Sequence, residues 1–428
     1  MTKIFKEDGV NLLIRTLFGE WPREDLAQIY TGELPGRDEF CGHYFEIGVR
    51  ERRLGRLFFA LKTRAMPAIS GISVTKATGT YARRRKSHLS LAFSRLISLI
   101  VDKGYWDLLF QIRPSNALIK FVLNFKPDII YTQGYSLSFT RLALELARQL
   151  KIPLFYFPMD DWHSSLFAGS LVHHKVNKIA TRVAREASIR FALGPKMAET
   201  LSARYGVSFE CLYHADCPER FNISENIKRF AKGSKDKLVI GYAGSLYLGR
   251  LTAIKDLLSV CQLLGRPFTI DIYCQSIPQD TPQELLHSPY ITFQALPEHN
   301  ELPKVLSGCD VLFIPESFDL KYKGAIELSL STKSHLYMFS RRPILIYGPP
   351  WSGTIDYAKR FGWGIVVDKR SIDKLSEGLK IALGDQADEF AERAYSVAMM
   401  NHNVNNLRNL IKNRVYNIIK VKKSGHEI

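Results

Sequence analysis

The stretch LVIGYAGSLYLGRL, residues 238–251, decides how the rest of the chain is read. Leu238 to Ala243 have the length and apolar character of a buried strand, and Gly244 and Gly249 punctuate the turn before a helix-like segment. A glycine-rich strand-to-helix turn lets backbone N–H groups approach a phosphate, and the dipole of the following helix favours an anion. Gly244 and Ser245 would line such a turn, and Arg250 supplies a planar cation suited to a diphosphate. The spacing is neither GxGxxG nor a Walker loop, which argues against nicotinamide and NTPase chemistry. The same residues also suit a tight turn with no ligand.

Outward from this turn, short apolar runs recur with helix-like segments between most of them: FTIDIY (268–273), YITF (290–293), DVLFI (310–314), PILIY (343–347) and GIVV (364–367). This alternation predicts a parallel α/β sheet. After DVLFI come Glu316 and Glu327, and then Thr332 and Lys333 at the start of a predicted helix. A lysine at a helix start, facing the glycine turn of the same domain, would complete a cationic clamp on phosphate.

A first series precedes it: NLLIRTL (11–17), DIIYT (128–132), PLFYFP (153–158) and IRFALG (189–194) read as buried strands, with a helix over 136–150. The polar stretch 216–237 separates the two series. The fold expected is therefore α/β, with two Rossmann-like doubly wound domains facing a central cleft: 1–216, a linker over 217–237, and 238–384. Residues 385–428 are left as a helical segment and basic tail, with a long apolar stripe over 386–419 that should dock on the protein itself.

In the first domain, Asp160 and Asp161 follow a strand and should face the cleft, where one carboxylate would orient or deprotonate an acceptor hydroxyl. A carboxylate facing away would cap a helix or bind an arginine. Gly19 and Glu20, in a loop after the first run, are placed beside donor and acceptor, with a plain turn as the simpler reading. The chain has no Asp-x-Asp, so no metal site and no cofactor are expected, and leaving-group charge would be met by Arg250, Lys333 and helix dipoles.

These motifs resemble those of retaining, nucleotide-sugar-dependent GT-B glycosyltransferases of the bacterial surface-polysaccharide kind. GYAGSLYLGR, DVLFIP, LSTK and RRPILIYGPPWSGTIDYAKRFGWGIVVD match in order, and KPDIIYTQGYSLSFTRLALELARQLKIPLFYFPMDDWHSS is similar to their acceptor domains. The likeness spans roughly residues 10–384. It implies that Gly244, Ser245, Arg250 and Lys333 hold the donor diphosphate, with Glu316, Glu327 and Thr332 nearby. It also implies a metal-independent, hexosyltransferase-like enzyme, with a glycan or lipid-linked saccharide as acceptor. Leu336 and Arg341 depart from the family, which often has Glu and Gly there, and so does the wide spacing of Glu316 and Glu327.

Net charge is +17. Residues 1–216 hold 31 basic and 20 acidic side chains, the remainder 28 and 22, so the first half is the more basic. Residues 50–86 carry eleven Lys and Arg against Glu51 alone, and 393–426 carry seven against none. Such tracts suit an anionic membrane surface, phosphorylated substrates or simple solvation. Without a signal peptide or spanning segment in the sequence, the expectation is a cytoplasmic protein, peripheral on the inner face of the membrane if the basic tract meets lipid. The six cysteines form no ligand spacing and read as reduced and structural. A GT-B-fold sugar-nucleotide epimerase or an inactive partner protein would retain the 244–250 turn. A nucleic-acid-binding protein ranks behind these, since 50–86 lacks an RNA-binding signature.

Overall fold

The computed structural model describes residues 9–31, 40–55, 57, 105–161, 164, 169–222 and 237–424. Two parallel sheets dominate. In the second half, β7 (Leu238–Ala243), β8 (Phe268–Cys274), β9 (Ile291–Ala295), β10 (Val311–Pro315), β11 (Ile344–Tyr347) and β12 (Ile365–Val367) form a six-stranded sheet in the order β12-β11-β10-β7-β8-β9. The order reverses between β7 and β10, so a crevice opens beyond the carboxyl ends of these two strands. The register sets Gly241 of β7 opposite Leu312 of β10 and Asp271 of β8. A side chain at Gly241 would strike Cys309, whose Sγ lies 2.4 Å from where its Cβ would stand.

In the first half, β3 (Ile130–Thr132), β4 (Leu154–Tyr156), β5 (Ile189–Leu193) and β6 (Glu210–Leu212) form a four-stranded parallel sheet in chain order. A separate parallel pair joins β1 (Ala27–Tyr30) to β2 (His43–Glu46). Both short strands mix polar and apolar residues, so no apolar run marks them in the sequence.

The helices that position the site are α1 (Gly9–Phe18), α2 (Asn116–Phe125), α3 (Leu137–Leu150), α4 (Leu171–Glu186), α5 (Pro195–Tyr205), α6 (Arg250–Gln262), α7 (Ser334–Phe339), α8 (Gly353–Phe361), α9 (Ile372–Leu383), α10 (Ala387–Asn401) and α11 (Val404–Lys423). Ser115 and Ser170 cap α2 and α4 by accepting from the N–H groups of Leu118 and His173.

Two sequence expectations are corrected. Residues 11–17 are helical, not a strand: Leu13, Ile14 and Leu17 are buried while Arg15 is exposed, a helical repeat that a short apolar run conceals. Gly19 and Glu20 therefore follow a helix. The stripe over 386–419 is two helices rather than one. The backbone of Asp216 enters the break, donating to the His402 carbonyl (3.1 Å) and accepting from the Val404 N–H (3.1 Å).

The second of these helices, α11, belongs to the core of the first half. Val404, Leu407, Ile411 and Val415 are buried in one apolar cluster with Leu13 and Leu17 of α1 and with strands of both sheets. Its basic residues are partly committed: Arg408 and Lys412 pair with Glu20 (2.5 and 3.3 Å) and Arg414 with Glu210 (2.6 Å). Among the described residues no helix is long and apolar enough to cross a membrane. Most of the basic tract over 50–86 and most of the linker lie outside the described residues.

Candidate active site

Gly244 directly follows β7 and has φ +148°, a conformation open to glycine and strained for other residues. A methyl group there would fall 2.1 Å from Lys333 Cε, so the lysine lies directly across the glycine backbone. The turn beyond is folded on itself. The Tyr242 hydroxyl donates to the Ser245 carbonyl, Arg250 Nη1 reaches the carbonyls of Ser245 and Tyr247 (3.4 Å each), and Leu246 is buried as an anchor. Gly249, at φ +71°, is the residue before α6, and Ser317 and Tyr322 leave no room for a side chain on it. Tyr337 of α7 pins the strand end by accepting from the Ala243 N–H (2.7 Å).

Lys333 immediately precedes α7 and is buried, its Nζ 5.3 Å from the centre of the Tyr242 ring. Burial, reinforced by the Arg250 charge and partly opposed by Glu316, lowers its ammonium to about 7. Glu316 is itself buried, with Oε2 3.8 Å from Arg250 Nη2 and no hydrogen-bond partner. Its Oε1 accepts from Thr354 in the first turn of α8, and Thr354 Oγ1 accepts from the Ser331 N–H. Gly244, Arg250, Glu316 and Lys333 thus converge at the crevice beyond β7 and β10. Arg250 faces the Glu316 carboxylate, and protonation of Lys333 leaves a positive excess for an incoming anion.

The other predicted donor-side residues sit at the margin. Ser245 and Thr332 are exposed, and Glu327 pairs with Lys323 at 3.6 Å instead of joining the clamp.

The two aspartates part company. Asp161 is held by Arg204 through two hydrogen bonds of 2.5 and 2.8 Å, and accepts from Ser164. Asp160 accepts from the Tyr135 hydroxyl (3.1 Å) in its own half and from Ser329 Oγ (3.0 Å) in the other. Ser329 lies four residues before Lys333, so Asp160 touches the loop that delivers the buried cation. Although Asp160 opens to solvent, the atoms crowding it desolvate the carboxylate and raise its affinity for a proton. Glu20 is engaged by Arg408 and Lys412, and Gly19 sits beneath the Arg15 carbonyl at the end of α1. Sequence reading missed Tyr135, Arg204, Ser329, Tyr337 and Thr354, because each meets its partner only through the tertiary fold. Among the described residues there is no cluster of three or more His, Cys, Asp or Glu able to hold a metal ion.

No protein-family model and no curated protein matches the chain. Solved structures do. HepE from Anabaena, in complex with UDP and glucose, superposes with a TM-score of 0.51 at 13% identity, over 70% of this chain and 81% of its own. Sucrose-phosphate synthase from Thermosynechococcus elongatus gives 0.51 at 12% identity, over 78% and 94%. The chain has the GT-B fold. In GT-B terms the Gly244–Arg250–Lys333 constellation lies in the second Rossmann-like unit, and Asp160, in the first, touches the loop that leads to Lys333.

Proposed function

We propose that the chain is a glycosyltransferase that moves a sugar from a nucleotide-diphosphate donor to a hydroxyl of a glycan or lipid-linked saccharide, in polysaccharide biosynthesis. One observation carries this reading: Arg250 and the buried Lys333 converge on Gly244 just beyond β7, while Asp160 touches the loop before Lys333 from the opposite half. The two cations would stabilise the departing diphosphate without a metal, in a crevice where charge is weakly screened. Asp160, with its raised proton affinity, would orient the acceptor hydroxyl. Gly244, Ser245 and Thr332 would contact the donor, and Glu316 would set the balance of charge. The UDP and UDP-glucose bound by HepE make uridine donors the first to try.

The test is calorimetric titration with UDP-, GDP-, ADP- and dTDP-sugars, repeated on Arg250→Ala and Lys333→Ala. Each substitution should weaken diphosphate binding by about 1.5–3 kcal/mol, the range for hydrogen bonds to charged groups. The fold should survive, since removing Lys333 also removes a buried ammonium. Unchanged affinity in both variants would refute the placement of the donor.

A further inference from the structure

We propose that the first half holds a second binding site, a cavity that takes the hydrocarbon part of an amphiphilic acceptor; the acceptor role rests on the glycosyltransferase reading, the cavity does not. Strand β1 pairs with β2 and β3 pairs with β4, and β1 and β3 belong to different sheets. A cavity of about 260 Å³ lies along the seam between them. Its wall is largely apolar, with Phe18, Trp21, Phe121, Phe125, Phe139 and Phe155 among the residues that form it.

Two observations mark it as a site rather than a packing gap. Gln28 of β1 lines the cavity and is 4% exposed, yet neither its amide nitrogen nor its oxygen has a hydrogen-bond partner. The buried Nε1 of Trp21 is likewise unpartnered. Buried polar groups are rarely left so, and a donor and acceptor side by side in an apolar wall suit a hydroxyl, ester or amide carried on a hydrocarbon chain. The second observation is where the cavity leads. Gln133, Gly134 and Tyr135 also line it, and the Tyr135 hydroxyl donates to Asp160 in the cleft. A molecule with its tail along the seam would present its head to Asp160.

Size sets the length of that tail. An apolar cavity of about 150 Å³ accommodates benzene, so 260 Å³ accommodates a chain of about ten carbons. Aliphatic and isoprenoid chains offer the same apolar surface, so straight alkyl chains serve as the probe.

The experiment titrates the full-length protein with butyl, hexyl, octyl and decyl β-D-glucoside below their micellar concentrations, read by calorimetry. Affinity should rise about threefold to fourfold per methylene from butyl through octyl, with a smaller gain from octyl to decyl as the chain reaches the length of the cavity. Ala143→Leu, which fills the cavity from α3, should reduce decyl glucoside affinity at least tenfold. Affinity independent of chain length in the unmodified protein overturns the proposal whether or not the variant folds, and so does a folded Ala143→Leu that binds as well as the parent. UDP-glucose titrated into the same samples separates the two readings. Nucleotide binding with no chain-length dependence removes the cavity alone. Chain-length dependence with no nucleotide-sugar binding upholds the cavity and removes the glycosyltransferase reading.

Discussion

Lys333 shows how a single residue is set by its surroundings. The backbone of Gly244 lies against its stem and Tyr242 against its ammonium, and burial holds its proton affinity near pH 7, far below that of a solvated lysine. A bound diphosphate favours the charged form and must raise that value. Binding above pH 7 therefore takes up a proton, and apparent affinity should fall about tenfold per pH unit between pH 7.5 and 9. Calorimetry at pH 8 in two buffers of different ionisation enthalpy should show uptake approaching one proton. In Lys333→Arg, which stays charged throughout, the uptake should vanish. Equal enthalpies in both buffers for the parent protein would mean that Lys333 is already charged before ligand arrives. Arg341 makes a different point at the same scale. It holds φ +50° with its guanidinium 3.8 Å from the centre of the Tyr395 ring, so a stacked cation occupies the left-handed conformation that glycine adopts freely.

Among elements, what was legible in the sequence divides along a physical line. Strands β4, β5, β7, β8, β10 and β11 are mostly buried runs whose apolar length declares them, the less buried β3 and β9 still read as short apolar runs, and the glycine turn after β7 is written in adjacent residues. Helix α1 was misread because seven apolar-rich residues fit a strand or a buried helix face equally well. The contact between Asp160 and Ser329 joins residues 169 apart in sequence, and nothing local encodes it. The break between α10 and α11 was equally hidden, since it depends on the backbone of Asp216 inserting from the other half. This return of the chain makes α11 a structural tie. Ile411 is fully buried in the core it shares with α1. Ile411→Ala should destabilise the protein by about 2–5 kcal/mol, measured by urea unfolding. A loss below 1 kcal/mol would mean that α11 packs on a surface the core does not need.

At the scale of the whole molecule, three histidines meet where the halves join: His214 after β6, His335 in α7 and His402 between α10 and α11. Their rings are layered, His335 lying 5.8 Å from His214 and 5.9 Å from His402 between centroids. All are buried. The His402 Nδ1 is 2.6 Å from the His214 carbonyl and its Nε2 is 2.9 Å from the Tyr357 hydroxyl, whereas His214 Nε2 and His335 Nδ1 have no partner. Burial lowers His214 to about 4 and His402 to about 3, and lowers His335 as well, with the neighbouring histidines and Arg220 adding to it. Asp216, paired with Arg220 and 3.5 Å from His299, is the nearby acid; its backbone N–H donates to the His402 carbonyl, while its carboxylate is taken by Arg220 and the Cys217 N–H. In the unfolded chain these imidazoles take protons near pH 6.5, while in the folded protein burial keeps all three neutral well below that, His214 to about 4 and His402 to about 3. The unfolded state then binds more protons throughout that window, so stability rises with pH across it and is lost as pH falls from 6.5 toward 4. Each unit of displacement is worth about 1.4 kcal/mol, and the cluster should remove several kcal/mol over the window. Raised carboxyl groups such as Asp160 act in the opposite sense at lower pH and make the observed slope shallower. His335→Phe keeps the layered ring and sacrifices no bond at Nδ1, so it should flatten the decline while leaving stability at pH 7.5 nearly unchanged. Urea unfolding at half-unit steps from pH 7.5 to 4 would measure it, and a slope identical in parent and variant would place the acid sensitivity outside the histidine stack.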